Sequence, residues 1–211
     1  MRRIFLRIIQ HAPKKRGTHM KKLISILILL ATLLLLLTSC GNSKTHHVEM
    51  TFEGFGTVKI ELYGDIAPIT VMNFIDLAKS GYYDGTKITR MEKDFVLQGG
   101  QGAGTTKIKG EFSQNGFDNE LKHTRGTISM ARSTGMDTAS DQFFICLSDA
   151  KASSLDGKYA AFGQVTDGMD VIDAIVDSFG SDDFLDGYYG AVMGFLKQTS
   201  YVKITSVKVI N

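Results

Sequence analysis

Residues Lys87 to Gln101 read KITRMEKDFVLQGGQ. Lys87 to Arg90 alternates polar and apolar side chains as a strand does, Met91 to Asp94 is a polar turn, and Phe95 to Gln98 is a second strand running into Gly99 and Gly100. The pattern predicts a hairpin. Arg90 brings a planar fork of donors, Phe95 an apolar face, and Gln98 both a donor and an acceptor. None of the three is a nucleophile or an acid or base that titrates near pH 7. The set suits binding and polarising a neutral amide better than cleaving one.

Strand signals continue on both sides of the hairpin. Val48, Met50 and Phe52 alternate with polar residues, Gly54-Phe55-Gly56 makes a turn, and Val58, Ile60 and Leu62 resume the alternation. Pro68 opens a helix whose Val71, Phe74, Ile75 and Ala78 form one apolar stripe, stopped at Gly81. Past the hairpin, Gly99, Gly100, Gly102 and Gly104 fail the dinucleotide spacing, and no Gly-Lys-Ser or Gly-Lys-Thr follows. A loop is the reading there. Gly126 to Arg132 is a strand, and Gln142 to Leu147 is another with apolar residues on both faces, as in a strand buried on both sides. Val171, Ile172 and Ile175 mark a second helix over Gly168 to Val176, and Tyr201 to Ile210 is a closing strand. Residues 178–200 between them carry Asp182, Asp183 and Asp186 without EF-hand spacing, so a solvated insertion is expected.

The chain's 211 residues, 43% of them hydrophobic, suffice for one well-packed domain with a surplus at the front. Leu23 to Leu37 is fifteen uncharged residues preceded by Lys21 and Lys22 and followed by Thr38-Ser39-Cys40. A spanning helix needs about 20 apolar residues, so this run has the length of a signal-peptide core. Its ending resembles a bacterial lipobox. That resemblance implies a signal peptide over 1–39, with a true start possible at Met20, a lipidated Cys40 that heads a polar tether over 40–47, and a folded domain over 48–211. His46-His47 falls at the end of the tether and has no third ligand nearby.

Residues 1–39 hold eight of the 24 Lys and Arg and none of the 22 acids, which leaves 16 basic against 22 acidic side chains. A net charge of about six negative argues against a nucleic-acid partner or a polybasic membrane surface. Beyond Cys40 the only cysteine is Cys146, inside the apolar run FFICL, so the mature chain has no disulfide framework and Cys146 reads as a small core residue.

Two blocks together resemble the cyclophilins, the peptidyl-prolyl isomerases whose hairpin runs Phe-His-Arg, a few residues, then Phe-Met-Ile-Gln-Gly-Gly. The first match is Ile88-Thr89-Arg90, then Phe95-Val96-Leu97-Gln98-Gly99-Gly100. The second is Ser129-Met130-Ala131-Arg132, Ser140 to Ile145, Leu155-Asp156-Gly157-Lys158 and Phe162-Gly163, in the family's order. The resemblance covers about Val48 to Phe179 and the last strand. It departs at Thr89, at Asp141, at Ser154 where the family often has Trp, and at Tyr159 where it often has His.

About eight short strands and two helices make the expected fold class mainly β, and the resemblance implies a closed antiparallel eight-stranded barrel with two helices. It also implies isomerisation of X-Pro bonds in unfolded or folding polypeptides, which requires no cofactor and no metal. Arg90, Phe95 and Gln98 would be catalytic, with Val96, Phe144 and Leu155 completing the ring pocket. Gln142 would hold the flanking backbone, with Ala131, Arg132 and Tyr159 at the rim. Cyclosporin, which the family recognises, should bind weakly for want of the Trp. A monomer at the outer face of the cell membrane, held by its lipid and assisting exported proteins, is the expectation. A non-catalytic, chaperone-like lipoprotein that binds proline peptides is the alternative, kept open by Thr89, Ser154 and Tyr159. A hydrolase finds no support, with no Gly-x-Ser-x-Gly run and His123 the only histidine expected inside the domain.

Overall fold

The computed structural model describes residues 45–101, 104–185 and 194–210. Cys40, the apolar run before it and most of the expected tether lie outside the described residues, as do Gly102, Asp186 and the rest of 186–193. The strands are β1 (Thr45–Phe52), β2 (Gly56–Tyr63), β3 (Lys87–Glu92) and β4 (Val96–Gly99), then β5 (Thr127–Met130), β6 (Phe143–Cys146), β7 (Ala161–Asp167) and β8 (Val202–Val209). They pair antiparallel throughout and close as a barrel in the order β1-β2-β7-β5-β6-β4-β3-β8. Closure pairs each of these strands on both sides, which protects sheet edges from other chains.

The alternation read from sequence turns the expected side chains inward. Val48, Met50 and Phe52 of β1 and Val58, Ile60 and Leu62 of β2 are buried in one continuous core. The first strand, though not the core, begins earlier than expected. β1 starts at Thr45, with His46 opposite Leu62 and His47 opposite Glu61, so the two histidines belong to the sheet and not to a tether. His123 is therefore not the domain's only histidine. The sheet pairing extends the β1 ladder by these residues, a gain that side-chain polarity alone does not announce.

Among the described residues three α-helices accompany the barrel: α1 (Pro68–Lys79), the single turn α2 (Asp149–Ala152), and α3 (Met169–Asp177). The turn α2 adds to the two helices expected from sequence, and at four residues it is too short to show a helical periodicity. α1 buries Val71, Phe74, Ile75 and Ala78, the stripe read from sequence. Phe74 is the hub of an aromatic cluster, with ring centroids 4.8 Å from Tyr83, 5.8 Å from Phe143 and 5.4 Å from Phe162. Truncating such a core ring costs about 3 to 5 kcal/mol. Ala67 offers α1 no side-chain cap; instead the buried carboxylate of Glu111 accepts from the backbone N–H of Ile69 at 3.0 Å and of Thr70 at 2.7 Å. An anion at the positive end of the helix satisfies two donors that have no partner within it.

Among its described residues, 178–185 and 194–200, the segment after α3 is not the wholly solvated insertion expected. Phe184 and Leu196 are 4% and 1% exposed, belong to the main core, and face each other across an antiparallel bridge. Asp183 ties the turn together: its carboxylate accepts from Ser200 Oγ and from the Gly180 backbone N–H, both at 2.7 Å. Those hydrogen bonds hold its carboxyl below the usual range. Asp183, one of the aspartates that drew attention in sequence, serves the turn, and Phe184 beside it fills the core.

Candidate active site

The hairpin is present, but its turn is shorter than expected. β3 runs on through Met91 and Glu92, with Met91 in the core, and the reversal falls on Lys93 to Phe95, where Asp94 takes a left-handed φ of 60°. The reason is a bulge. Ile88 pairs with Gly99 while Arg90 pairs with Gln98, so two steps on β3 match one on β4 and Thr89 is the extra residue. Regular alternation would point Ile88 and Arg90 to one side. The bulge breaks that rule, leaving Ile88 and Met91 in the barrel interior and Arg90 and Glu92 toward the outer surface, which is how bulges re-aim side chains beside functional sites. The paired glycine has a role here as well: a Cβ on Gly99 would stand 2.7 Å from the Lys87 carbonyl oxygen.

Strand β6 sorts its apolar residues between two compartments. Phe143 and Ile145 lie in the main core, and Phe144 and Cys146 lie in a second cluster with Val96, Ala152 and Leu155. Phe95, Ala131 and Tyr159 pack against this second cluster, which floors a cavity of about 320 Å³. Tyr159 meets Phe144 edge to face at 5.7 Å. Such a volume sits at the small end of ligand pockets.

One wall of the cavity is polar and continuous. Arg90 Nη2 donates to Glu92 Oε2 at 2.8 Å, Arg90 Nη1 donates to Gln98 Oε1 at 3.1 Å, and Gln98 Nε2 donates to Gln142 Oε1 at 3.0 Å. The chain crosses β3 and β4 to the start of β6. Each link fixes the orientation of the next, since Arg has only donors and the carboxylate only acceptors. Arg90 and Glu92 are 15% and 20% exposed, so the pair is partly dried, and its geometry is less screened than that of a surface ion pair.

Nine of the ten pocket residues expected from sequence line this cavity: Arg90, Phe95, Gln98, Val96, then Ala131, Arg132, Phe144, Leu155 and Tyr159. Gln142 opens instead on an adjoining depression of about 230 Å³, which Gln98 and Arg132 share. Arg132 is held firmly at the rim. Its Nε donates to the Lys158 carbonyl at 2.9 Å, its Nη1 to the Ser133 carbonyl at 3.0 Å, and its guanidinium lies over the rings of Tyr159 and Phe112 at 4.7 and 5.1 Å. Two residues escaped the sequence reading. Glu92 stands two residues from Arg90 on one strand, a spacing that carried the signal, and Phe195, which also lines the cavity, comes from the segment expected to be solvated.

The departures from the family pattern are accommodated locally. Asp141 is buried and accepts from the hydroxyls of Tyr82 and Ser140, while its backbone carbonyl accepts from Tyr83. Ser154 is exposed and its hydroxyl donates to the Lys151 carbonyl at 2.8 Å, so it adds no wall to the pocket. Cys146 is buried, and burial followed by the Asp156 charge pushes its thiol up to about 12. Such a thiol is inert.

An Asp-His-Ser set does occur behind the pocket. His123 Nδ1 lies 3.0 Å from Asp156 Oδ1, and its Nε2 lies 2.9 Å from Ser129 Oγ. The acceptor-only carboxylate places the ring proton on Nδ1, which leaves Nε2 to accept from the serine. Burial lowers the His123 pKa against the raising effect of Asp156, so the ring is neutral at pH 7. His123 is 1% exposed and Ser129 fully buried, and no substrate carbonyl reaches them. The set is a structural network. Among the described residues no cluster of His, Cys, Asp or Glu could hold a metal ion.

An apolar pocket thus lies beside a fixed guanidinium on the outer wall of a closed barrel. The family model for cyclophilin type peptidyl-prolyl cis-trans isomerase/CLD matches residues 47–209, and the chain belongs to that family. It is 39% identical over 159 residues to a peptidyl-prolyl cis-trans isomerase of Acinetobacter baylyi, covering 73% of this chain and 80% of that one. It is 47% identical over 122 residues to peptidyl-prolyl cis-trans isomerase-like 1 of Rhizopus delemar, covering 56% and 72%. The crystal structure of a cyclophilin type peptidyl-prolyl cis-trans isomerase of Cryptosporidium parvum matches with a TM-score of 0.61 at 25% identity, over 80% of this chain and 99% of that one. A second structure of that protein, in the presence of the dipeptide Ala-Pro, gives 0.60 at 24% identity over 78% and 99%.

Proposed function

We propose that this chain isomerises X-Pro bonds in exported polypeptides as they fold at the outer face of the cell membrane, anchored there as a monomer through a lipid on Cys40. The observation that carries the catalytic part is the polar chain from Glu92 through Arg90 and Gln98 to Gln142, set along one wall of a pocket floored by Val96, Phe144 and Leu155. The uncatalysed step has a barrier of about 20 kcal/mol and takes tens of seconds. The proline ring enters the apolar floor, and Gln98 and Gln142 hold the flanking backbone. As the amide twists, its nitrogen becomes pyramidal and regains a lone pair. A guanidinium held in a partly dry wall stabilises that state more than the planar one.

The anchor rests on the sequence of residues 21–40, whose charged start, fifteen-residue apolar run and Thr38-Ser39-Cys40 ending match a lipoprotein signal. Two experiments test the proposal. A soluble form beginning at Gly41 should accelerate exchange between the cis and trans forms of a proline peptide, followed by NMR; peptide binding without acceleration would leave the chaperone-like alternative. Mass spectrometry of membrane-extracted protein should find Cys40 lipidated at a new N-terminus, and an unmodified Cys40 there would remove the anchor.

A further inference from the structure

The segment after α3 completes the wall of the pocket. β8 covers the edge of β3 only at Lys87 and Ile88, opposite Lys203 and Val202. From Thr89 to Met91 that edge passes to residues 194–196: Met91 N–H donates to the Gly194 carbonyl at 2.8 Å, and Leu196 N–H donates to the Thr89 carbonyl at 3.0 Å. The stretch is braced from behind by residues 183–185, with Leu185 N–H on the Phe195 carbonyl at 3.0 Å and Lys197 N–H on the Asp183 carbonyl at 2.7 Å. A glycine makes the approach possible. Gly194 has a φ of 43°, and a Cβ there would stand 2.0 Å from the Met91 carbonyl oxygen.

Arg90 and Phe195 are opposite each other in an antiparallel bridge. Directly opposed residues put their side chains on the same face of a sheet. Phe195 therefore stands beside Arg90 on the pocket side, half-buried, and lines the cavity. A peptide whose prolyl amide meets Arg90 must lay its next side chain against that ring.

We infer that Phe195 is a specificity-determining residue, which selects substrates carrying a bulky apolar side chain next to the proline at the Arg90 end of the pocket. The inference rests on the isomerase reading of the site. Apolar contact of this kind discriminates by about tenfold or more for each group gained or lost. Glycine or a small polar residue at that position would leave the ring partly uncovered.

The test uses the solubilised full-length chain with two peptide series, one varying the residue before proline and one the residue after it, each through Gly, Ala, Leu and Phe. Wild type should favour Leu and Phe over Gly in one series. In Phe195→Ala that preference, read as a ratio of kcat/KM values, should fall about tenfold, and Phe195→Leu should keep most of it. Gly194→Ala should lose the same preference by displacing the backbone that carries Phe195, with the thermal transition recorded to show that the variant is folded. A ratio unchanged in Phe195→Ala, or an equal loss on every peptide, would overturn the assignment. Peptide affinities are measured in parallel. If wild type turned over no peptide the isomerase reading would fall, and the same ratio taken from the affinities would then decide for or against Phe195.

Discussion

Ile88 and Arg90, two residues apart on one strand, face opposite sides of the barrel wall because Thr89 is bulged out of the ladder between them. The interior receives an apolar side chain and the outer surface a guanidinium. The role proposed for Arg90 depends on that bulge as much as on the arginine itself.

Replacing Arg90 tests its part in the reaction most directly. Loss of one preorganised donor costs about 10² to 10³ in rate, or about 3 to 4 kcal/mol in the barrier. Arg90→Ala should lose most of its turnover while binding ground-state peptide nearly as well as wild type. Its melting temperature should change little, since the side chain lies outside the core. Arg90→Lys should recover only part of the rate, because an ammonium cannot reproduce the planar fork. Equal turnover by wild type and Arg90→Ala would remove the role.

Glu92 is a positioning residue for that arginine. It fixes one branch of the guanidinium at 2.8 Å while Gln98 fixes another. Glu92→Ala should lower turnover by about tenfold, less than Arg90→Ala does, because a misplaced group loses part of its effect. Glu92→Gln retains an acceptor oxygen and should restore most of the loss. An unchanged or raised rate in Glu92→Ala would show that the carboxylate only offsets the charge of Arg90.

Much of this was legible in the sequence wherever a single element carries its own signal. Val48, Met50 and Phe52 alternate, the α1 stripe recurs at helical spacing, and the apolar residues of β6 fill both faces. Phe144 and Leu155 were identified through the resemblance, since nothing local says that they share a pocket. Relations between elements were hidden. Thr89 is an ordinary strand residue, and only its mismatch with β4 reveals a bulge. Phe195 gains its place from a pairing with β3, a strand far away in sequence, so its own neighbourhood suggested solvent. Glu111 caps α1 for the same non-local reason.

The His123 network makes stability depend on acid. Burial lowers the His123 pKa in the folded chain, so below about pH 6.5 the unfolded chain takes up a proton that the native state refuses, and stability falls as pH falls. Burial alone would raise Asp156, but hydrogen bonds from the His123 backbone and ring, with the His123 and Lys122 charges, outweigh it and lower the pKa. Its contribution is present above about pH 3.9 and is lost below that value. Melting temperature should therefore decline from pH 7 to pH 5 in wild type and decline less in His123→Gln. Identical slopes in the two proteins would dissociate His123 from the effect.

Cys146 provides a check on the second cluster, since it lies beneath the pocket among Val96, Phe144 and Leu155. A buried thiol with its pKa pushed up to about 12 should resist alkylation in the native form beginning at Gly41, even at pH 8.5. Denaturant should expose it to rapid reaction. Modification of the native form at the rate of the unfolded chain would mean that the pocket floor opens.

The last prediction concerns cyclosporin and the position before Leu155. Ser154 is exposed and turns its hydroxyl to the Lys151 carbonyl, so the pocket lacks the indole that the family often places there. An indole would add a broad apolar wall and an N–H donor beside Leu155. Binding of cyclosporin by wild type should be weak, and Ser154→Trp should tighten it by about tenfold or more, equivalent to about 1.4 kcal/mol, as read by titration calorimetry. Isomerisation of short proline peptides should change less than cyclosporin affinity, because the proline floor of Val96, Phe144 and Leu155 is already complete. If cyclosporin bound Ser154→Trp no better than wild type, the obstacle would lie at the Arg90 end, where Phe195 narrows the same cavity, and the double variant Ser154→Trp with Phe195→Ala would then be the one to gain affinity.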